Sequence, residues 1–267
     1  MSRTYVVTGS ASGIGRATKN LLEERGERVI GVDIKSADVE ADLSTPDGRE
    51  RMISQVGELS DGEIDAVLAV AGLSAPTSLT ARVNYFGTLA TLTGLRPLLA
   101  RSAAPRAVAV SSFALIWPGN EDLYAAFQAD DEDRAVEIAD SIAGGVLGGP
   151  IYNTAKWALA SWVRRMAPMP EWAGEGIALN AIAPGLIATP MTAGSLDNAE
   201  ARKASLEAIP MPLNGPAEPV VVARLLAWLA GVENSHLCGQ IIFVDGGAEA
   251  TKRGDSILTL DGTLASP

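Results

Sequence analysis

The sequence predicts one α/β domain built on a doubly wound, seven-stranded parallel sheet, with helices on both faces and a helical insertion in its second half. Three observations lead there. Runs rich in Val, Ile and Ala alternate with helical patterns at the spacing of βαβ units. Those runs are apolar almost throughout, as strands buried on both faces must be. The 267 residues, 47% of them hydrophobic, suffice for one large core, and no linker divides them.

The first strand is Thr4–Thr8, and Thr8-Gly9-Ser10-Ala11-Ser12-Gly13-Ile14-Gly15 turns it directly into a helical pattern from Arg16 to Glu24. Gly9, Gly13 and Gly15, with Ser12 and Ile14 between them, leave backbone bare at the point where the free N–H groups of a helix start emerge, which suits a pyrophosphate. A glycine-rich turn with no ligand is the alternative. The second strand, Arg28–Val32, runs into Asp33, where a dinucleotide-binding (Rossmann-type) fold places the carboxylate that meets the adenosine ribose hydroxyls. A short strand is expected near Val39–Ala41, followed by Ala66–Val70, Ala107–Ser111, Ile177–Ile182 and Gln240–Val244. The domain is expected to cover 1–247, and 248–267, which lacks periodicity, reads as a surface tail.

Tyr152 and Lys156 stand four residues apart, hence on one face of a helix expected to run to about Met166. A free phenol titrates near pH ~10, so its use as a base around neutrality needs nearby positive charge, which an ammonium and a nicotinamide can supply. Ser112 follows the run Val108-Ala109-Val110-Ser111 and falls at the sheet edge where parallel sheets open their ligand crevice; Ser111 is the competing choice. Asn84 is polar in an otherwise apolar helical stretch, a position where an amide can also bond to local backbone.

Composition narrows the partners. A formal net charge of −11 argues against nucleic acid, whose phosphates need a positive surface. One cysteine, Cys238, and one histidine, His236, offer neither an intrachain disulfide nor a histidine cluster for a transition metal, so no metal and a reducing, cytoplasmic setting are expected. No apolar run reaches the ~18 residues of a membrane span, and no targeting segment is read.

The loop spacing G-x-x-x-G-x-G resembles the cofactor loop of the short-chain dehydrogenase/reductases, and Asn84, Ser112, Tyr152 and Lys156 follow in that family's order, so the resemblance spans residues 3 to 247. It implies hydride transfer between nicotinamide C4 and a carbinol carbon. Tyr152 handles the hydroxyl proton, Ser112 orients the oxygen, Lys156 lowers the phenol pKa and binds ribose hydroxyls, and Asn84 supports a water chain. It also implies NAD: Asp33 repels the extra phosphate of NADP, and Ser12 stands where NADP-dependent members commonly carry a basic residue, with Lys35 the one dissent. Asp42-Leu43 resembles the adenine-contacting pair, and Ile34 is placed to pack on the adenine. Val70-Ala71-Gly72 departs from the family's Asn-Ala-Gly but retains Ala71 and Gly72. In Ala183-Pro184-Gly185-Leu186-Ile187-Ala188-Thr189, the residues Pro184, Gly185, Ile187 and Thr189 match the element that holds the nicotinamide carboxamide.

Between Ser112 and Tyr152 lie 39 residues, 113 to 151, far more than most of the family uses. The insertion, about 114–150, carries Leu123, Phe127 and Ile138 among acids in Glu121–Ala143, the pattern of one or two amphipathic helices. Its apolar face is expected to cover the substrate cleft or a partner subunit. A long insert here resembles the bacterial 3α-hydroxysteroid dehydrogenase/carbonyl reductases, and coniferyl alcohol dehydrogenases share the arrangement. The implied substrate is a bulky apolar secondary alcohol or its ketone, with a 3α-hydroxysteroid as one candidate and an aryl or allylic alcohol as the alternative. Specificity would lie in the insert and the loop about 189–217. A non-catalytic dinucleotide sensor is the reading from another class; it needs the loop and Asp33 but not Ser112, Tyr152 and Lys156 together. Assembly as a homodimer or homotetramer is expected, the dimer before the tetramer.

Overall fold

A computed structural model describes residues 2–143 and 149–256, and among them the apolar runs form seven parallel strands. These are β1 (Thr4–Thr8), β2 (Arg28–Asp33), β3 (Val39–Glu40), β4 (Ala66–Ala69), β5 (Arg106–Val110), β6 (Ala178–Pro184) and β7 (Ile241–Val244), in the order β3-β2-β1-β4-β5-β6-β7. Winding reverses at β1, which pairs with β2 on one side and β4 on the other. Ligand crevices of open parallel sheets lie at such a reversal, beyond the C-terminal strand ends.

The helices are α1 (Gly13–Glu24), α2 (Pro46–Leu59), α3 (Ser78–Ala81), α4 (Thr88–Leu99), α5 (Glu121–Gln128), α6 (Glu132–Ser141), α7 (Pro150–Met166), α8 (Ala193–Leu196), α9 (Ala199–Ala208), α10 (Pro219–Leu229) and α11 (Ala248–Arg253). Alternation along β1 divides the core. Val6 faces a cluster with Met52 and Val56 of α2, Leu92 and Leu95 of α4, and Leu159 and Val163 of α7. Tyr5 and Val7 point the other way, to Leu22 of α1 and Leu226 and Leu229 of α10. Between α3 and α4 the helix widens into a π segment, Arg82–Gly87, which carries Asn84.

The insertion forms two helices, α5 and α6, each started by a side-chain cap: Asn120 Oδ1 accepts from the N–H of Leu123, and Asp131 Oδ1 from that of Arg134. Residues 144–148 lie outside the described residues. The apolar face of α5 and α6 turns into the chain's own core rather than to the cleft. Leu123, Phe127, Ala135 and Ile138 join the cluster of α2, α4 and α7. Phe127 stacks on Tyr85 at 4.4 Å between centroids and meets Phe86 edge-on at 5.6 Å. Charge seals the contact, since the Glu132 carboxylate takes Arg49 through two bonds of 2.6 and 2.8 Å and Arg82 through one of 3.0 Å. The physical reason is proximity: the π segment and α7 already present an aromatic surface that this face fits, and covering it needs no second chain.

The segment after Gly247 begins with a helix. Its first residues form α11, because Asp245 accepts from the N–H groups of Gly247 and Glu249, at 3.0 and 2.7 Å, and starts a helix. Ala248 is buried with Phe113, Leu186 and Met211 in a third apolar cluster. The remainder of the expected tail, 257–267, lies outside the described residues.

Candidate active site

The loop after β1 brings the first half of the site to the reversal point. Gly9 takes φ +70°, and a Cβ there would stand 3.0 Å from the Cα of Ala71; a Cβ on Gly15 would stand 2.0 Å from the carbonyl oxygen of Gly9. Only glycine lets the chain fold so closely on itself and on the end of β4. Ser12 is the N-cap of α1, yet its side chain makes no capping bond, and the first turn holds no acidic residue. The leading N–H groups of a 12-residue helix are therefore left to the cleft. Thr8, which sequence reasoning passed over, ties the two strand ends together, its Oγ1 accepting from the N–H groups of Val70 and Ala71, both at 3.0 Å. A side-chain oxygen one residue before the first loop glycine was the available signal.

Asp33 is fixed beside this loop. Its two oxygens accept from the N–H of Ala11 at 2.9 Å and of Ile34 at 2.8 Å, which leaves lone pairs on both for further donors. Ile34 is 62% exposed. Asp42 Oδ1 accepts from the N–H and the hydroxyl of Ser44, at 2.9 and 2.6 Å, and Leu43 is buried. Asp33, Ile34, Asp42 and Leu43 do not line the cleft at the reversal point; they follow the strand ends outward from the loop.

The cleft at the reversal point, about 790 Å³ of space open to solvent, brings the other predicted residues together. Gly9, Ser12, Gly13, Ile14, Gly15, Ala71 and Gly72 line one side. Ser112, Tyr152 and Lys156 line another, and Pro184, Gly185, Ile187 and Thr189 a third, with Met191 and Thr192 at the rim. The loop after β6 is held by its neighbours: the N–H of Ala188 donates to Ala217 O at 2.9 Å, Thr192 Oγ1 donates to Ile187 O, and Thr189 approaches Gly13. Asn84, fully buried, stands just behind this wall.

Of the two serines, Ser111 is buried and donates its hydroxyl to the carbonyl of Lys156 at 2.8 Å, a staple between β5 and α7. Ser112 lies beside the Tyr152 phenol and also caps a short 3₁₀ turn, Phe113–Ile116, by accepting from the N–H of Ala114 at 3.1 Å. Lys156 Nζ donates to the carbonyl of Val110 at 2.8 Å and sits 5.6 Å from the centre of the Tyr152 ring. Asn84 Nδ2 donates to Leu73 O at 2.8 Å while its Oδ1 accepts from Leu73 N–H at 2.9 Å. It thereby holds the stretch after β4, where a Cβ on Gly72 would stand 3.1 Å from that Oδ1 and 3.5 Å from Lys156 Nζ.

Burial sets the electrostatics of the pair. Burial pushes the Tyr152 phenol above its ordinary value, and the Ser112 hydroxyl only partly offsets this. Burial acts on Lys156 as well and brings it down to about 8. Desolvation disfavours both charged forms at once. At neutral pH the site therefore presents a protonated phenol.

A family model described as enoyl-(acyl carrier protein) reductase matches residues 134–249. The 3-alpha-hydroxysteroid dehydrogenase/carbonyl reductase of Comamonas testosteroni is 35% identical over 93% of this chain and 97% of its own length. A coniferyl-alcohol dehydrogenase of a Pseudomonas species is 31% identical over 94% and 98%. Among solved structures, a 3-alpha-hydroxysteroid dehydrogenase from a Pseudomonas species, complexed with NADH, superposes with a TM-score of 0.86 at 39% identity, covering 94% of this chain and 98% of that one.

Proposed function

Since the chain belongs to the short-chain dehydrogenase/reductase family, an oxidoreductase family, we propose that it interconverts a bulky apolar secondary alcohol and its ketone with NAD(H). The observation that carries the reading is the meeting of Ser112, Tyr152 and Lys156 with the glycine loop in one cleft. A dinucleotide sensor has no use for that meeting. A 3α-hydroxysteroid is the leading substrate class, in keeping with the Comamonas and Pseudomonas relatives, and an aryl or allylic alcohol is the second, in keeping with the coniferyl-alcohol dehydrogenase.

The protein fits a dinucleotide through its donor set: the uncapped start of α1 for the pyrophosphate, the free lone pairs of Asp33 for the ribose, and Ile34 for the adenine. Asp33 favours NAD(H) over NADP(H) by excluding a second negative charge. Bound nicotinamide supplies the hydride acceptor or donor. Tyr152, neutral at physiological pH, gives its phenolic proton to the ketone oxygen, and Ser112 holds that oxygen beside the phenol. In the oxidative direction the phenol must first lose its proton against a raised pKa, so added positive charge in the cleft favours that direction. Lys156 keeps two N–H bonds beyond the one to Val110, and these can reach ribose hydroxyls.

A cytoplasmic setting fits the free thiol of Cys238. A homo-oligomer, dimer before tetramer, fits the apolar surface that Val221, Trp228 and Val232 expose; light scattering tests it.

An absorbance screen at the NADH band against hydroxysteroids, cyclic ketones and aryl alcohols tests the activity. Tyr152→Phe should fold and bind NADH as the wild type does while losing turnover by at least roughly a hundredfold. Turnover near the wild-type rate rules Tyr152 out as the acid.

A further inference from the structure

The two residues that follow Tyr152 clasp a distant segment onto the start of α7. Asn153 Nδ2 donates to the carbonyl of Pro118 at 2.9 Å, and the N–H of Asn120 donates to Thr154 Oγ1 at 2.8 Å. Between these bonds Gly119 lies so near the helix that a Cβ on it would stand 2.8 Å from Thr154 Oγ1. Two attachment points either side of one residue fix both where the segment sits and how it is turned. Immediately before it stands Trp117, whose ring meets Phe113 edge-on at 5.4 Å and packs against the cluster of Leu186 and Met211. Phe113 follows Ser112 and Leu186 lies between Gly185 and Ile187, so Trp117 packs on the immediate neighbours of residues from two sides of the cleft.

Asn153 is an odd choice for packing alone. It is 7% exposed, and its Oδ1 is buried without a hydrogen-bond partner. An apolar side chain of equal size would fill the place without burying an unpaired oxygen. What the amide supplies and such a side chain lacks is the bond to Pro118.

We propose that Trp117 forms the wall met by the far end of a bulky ketone and that Asn153 is a positioning residue for substrate selection: through Pro118 it sets the distance between that wall and the Tyr152 hydroxyl. The inference rests on the carbonyl-reductase reading above. With Asn153 lost, the segment pivots on the Thr154–Asn120 bond alone, and the wall moves relative to the phenol. Small ketones, which do not reach the wall, are unaffected by that movement.

The test compares kcat/KM for a fused-ring ketone and for cyclohexanone, with NADH, in wild type, Asn153→Ala, Asn153→Leu and Trp117→Ala. The ratio of the two values does not depend on how much of a preparation is folded. It should fall by roughly tenfold in all three variants, the range expected when one apolar pocket contact is lost, while KM for cyclohexanone stays within about twofold. A ratio restored in Asn153→Leu means the side chain only fills space and overturns the proposal. So does an unchanged ratio in Trp117→Ala, and that result holds even where the Asn153 variants do not fold. Hydrogen exchange reads the clasp without substrate: in Asn153→Leu the peptide over 117–124 should exchange faster while peptides from β5 and β6 do not, and unchanged exchange overturns the clasp. A wild type that reduces neither ketone refutes the functional reading, a result distinct from any of these.

Discussion

Phe127→Ala tests whether the insert belongs to the core or decorates it. The ring is 1% exposed and lies between Tyr85 and Phe86, both on the π segment and both buried. Truncating a buried phenylalanine costs about 3–5 kcal/mol, the upper end applying where the surroundings cannot collapse into the space. Here collapse is restrained, since Tyr85 Oη is tied to the backbone carbonyl of Phe127 at 3.0 Å and Arg49 anchors α6 through Glu132. Both ties survive the substitution and hold the cavity open. Lost ring–ring contacts add ~0.5–1.5 kcal/mol, which places the expected loss near 4 kcal/mol. In urea unfolding the midpoint should drop by roughly 1–2 M with the slope unchanged. Because Phe127 packs away from the cleft, KM for the ketone and the affinity for NADH should stay within about twofold of wild type. A stability loss under ~1 kcal/mol would refute the core assignment. A raised KM with an unchanged midpoint would return the insert to the substrate cleft.

Three further outcomes are expected. Asp33→Ala should narrow the preference for NADH over NADPH by roughly tenfold or more, because a buried like-charge contact costs several kcal/mol; an unchanged ratio of kcat/KM counts against the role of this carboxylate. Lys156 falls from 10.5 to about 8 on folding, so between those pH values the unfolded chain binds more protons and this group's contribution to stability rises with pH. Relative to Lys156→Met, the wild type should gain about 2 kcal/mol between pH ~7 and ~9.5, and parallel stability profiles would contradict the buried ammonium. Asn84→Ala strips the N–H and C=O of Leu73 of their partner and should cost about 2 kcal/mol in urea unfolding, with Asn84→Asp, which keeps the acceptor, losing less.

What could be read from the sequence is what the chain enforces over short distances. Gly15 must be glycine because the Gly9 carbonyl occupies the place of its Cβ, so the loop spacing records the turn itself. The strands of the sheet show for a similar reason, since a segment buried on both faces has no polar alternative. The insert's amphipathic pattern likewise announces two helices, yet it cannot say what covers them, because Tyr85 and Phe86 lie some 40 residues upstream and look like any helix interior. Val70 in place of asparagine looks like a defect in the sequence, whereas in the fold Thr8 holds the same backbone from across the sheet. The phenol is where spacing says least. Spacing places an ammonium one helical turn from Tyr152 but carries no information about solvent, and burial pushes the phenol up and the ammonium down, an effect the positive charges around the phenol have to work against. The consequence is chemical: the phenol holds the proton that ketone reduction consumes, and alcohol oxidation has to draw its driving charge from Lys156 together with whatever binds in the cleft.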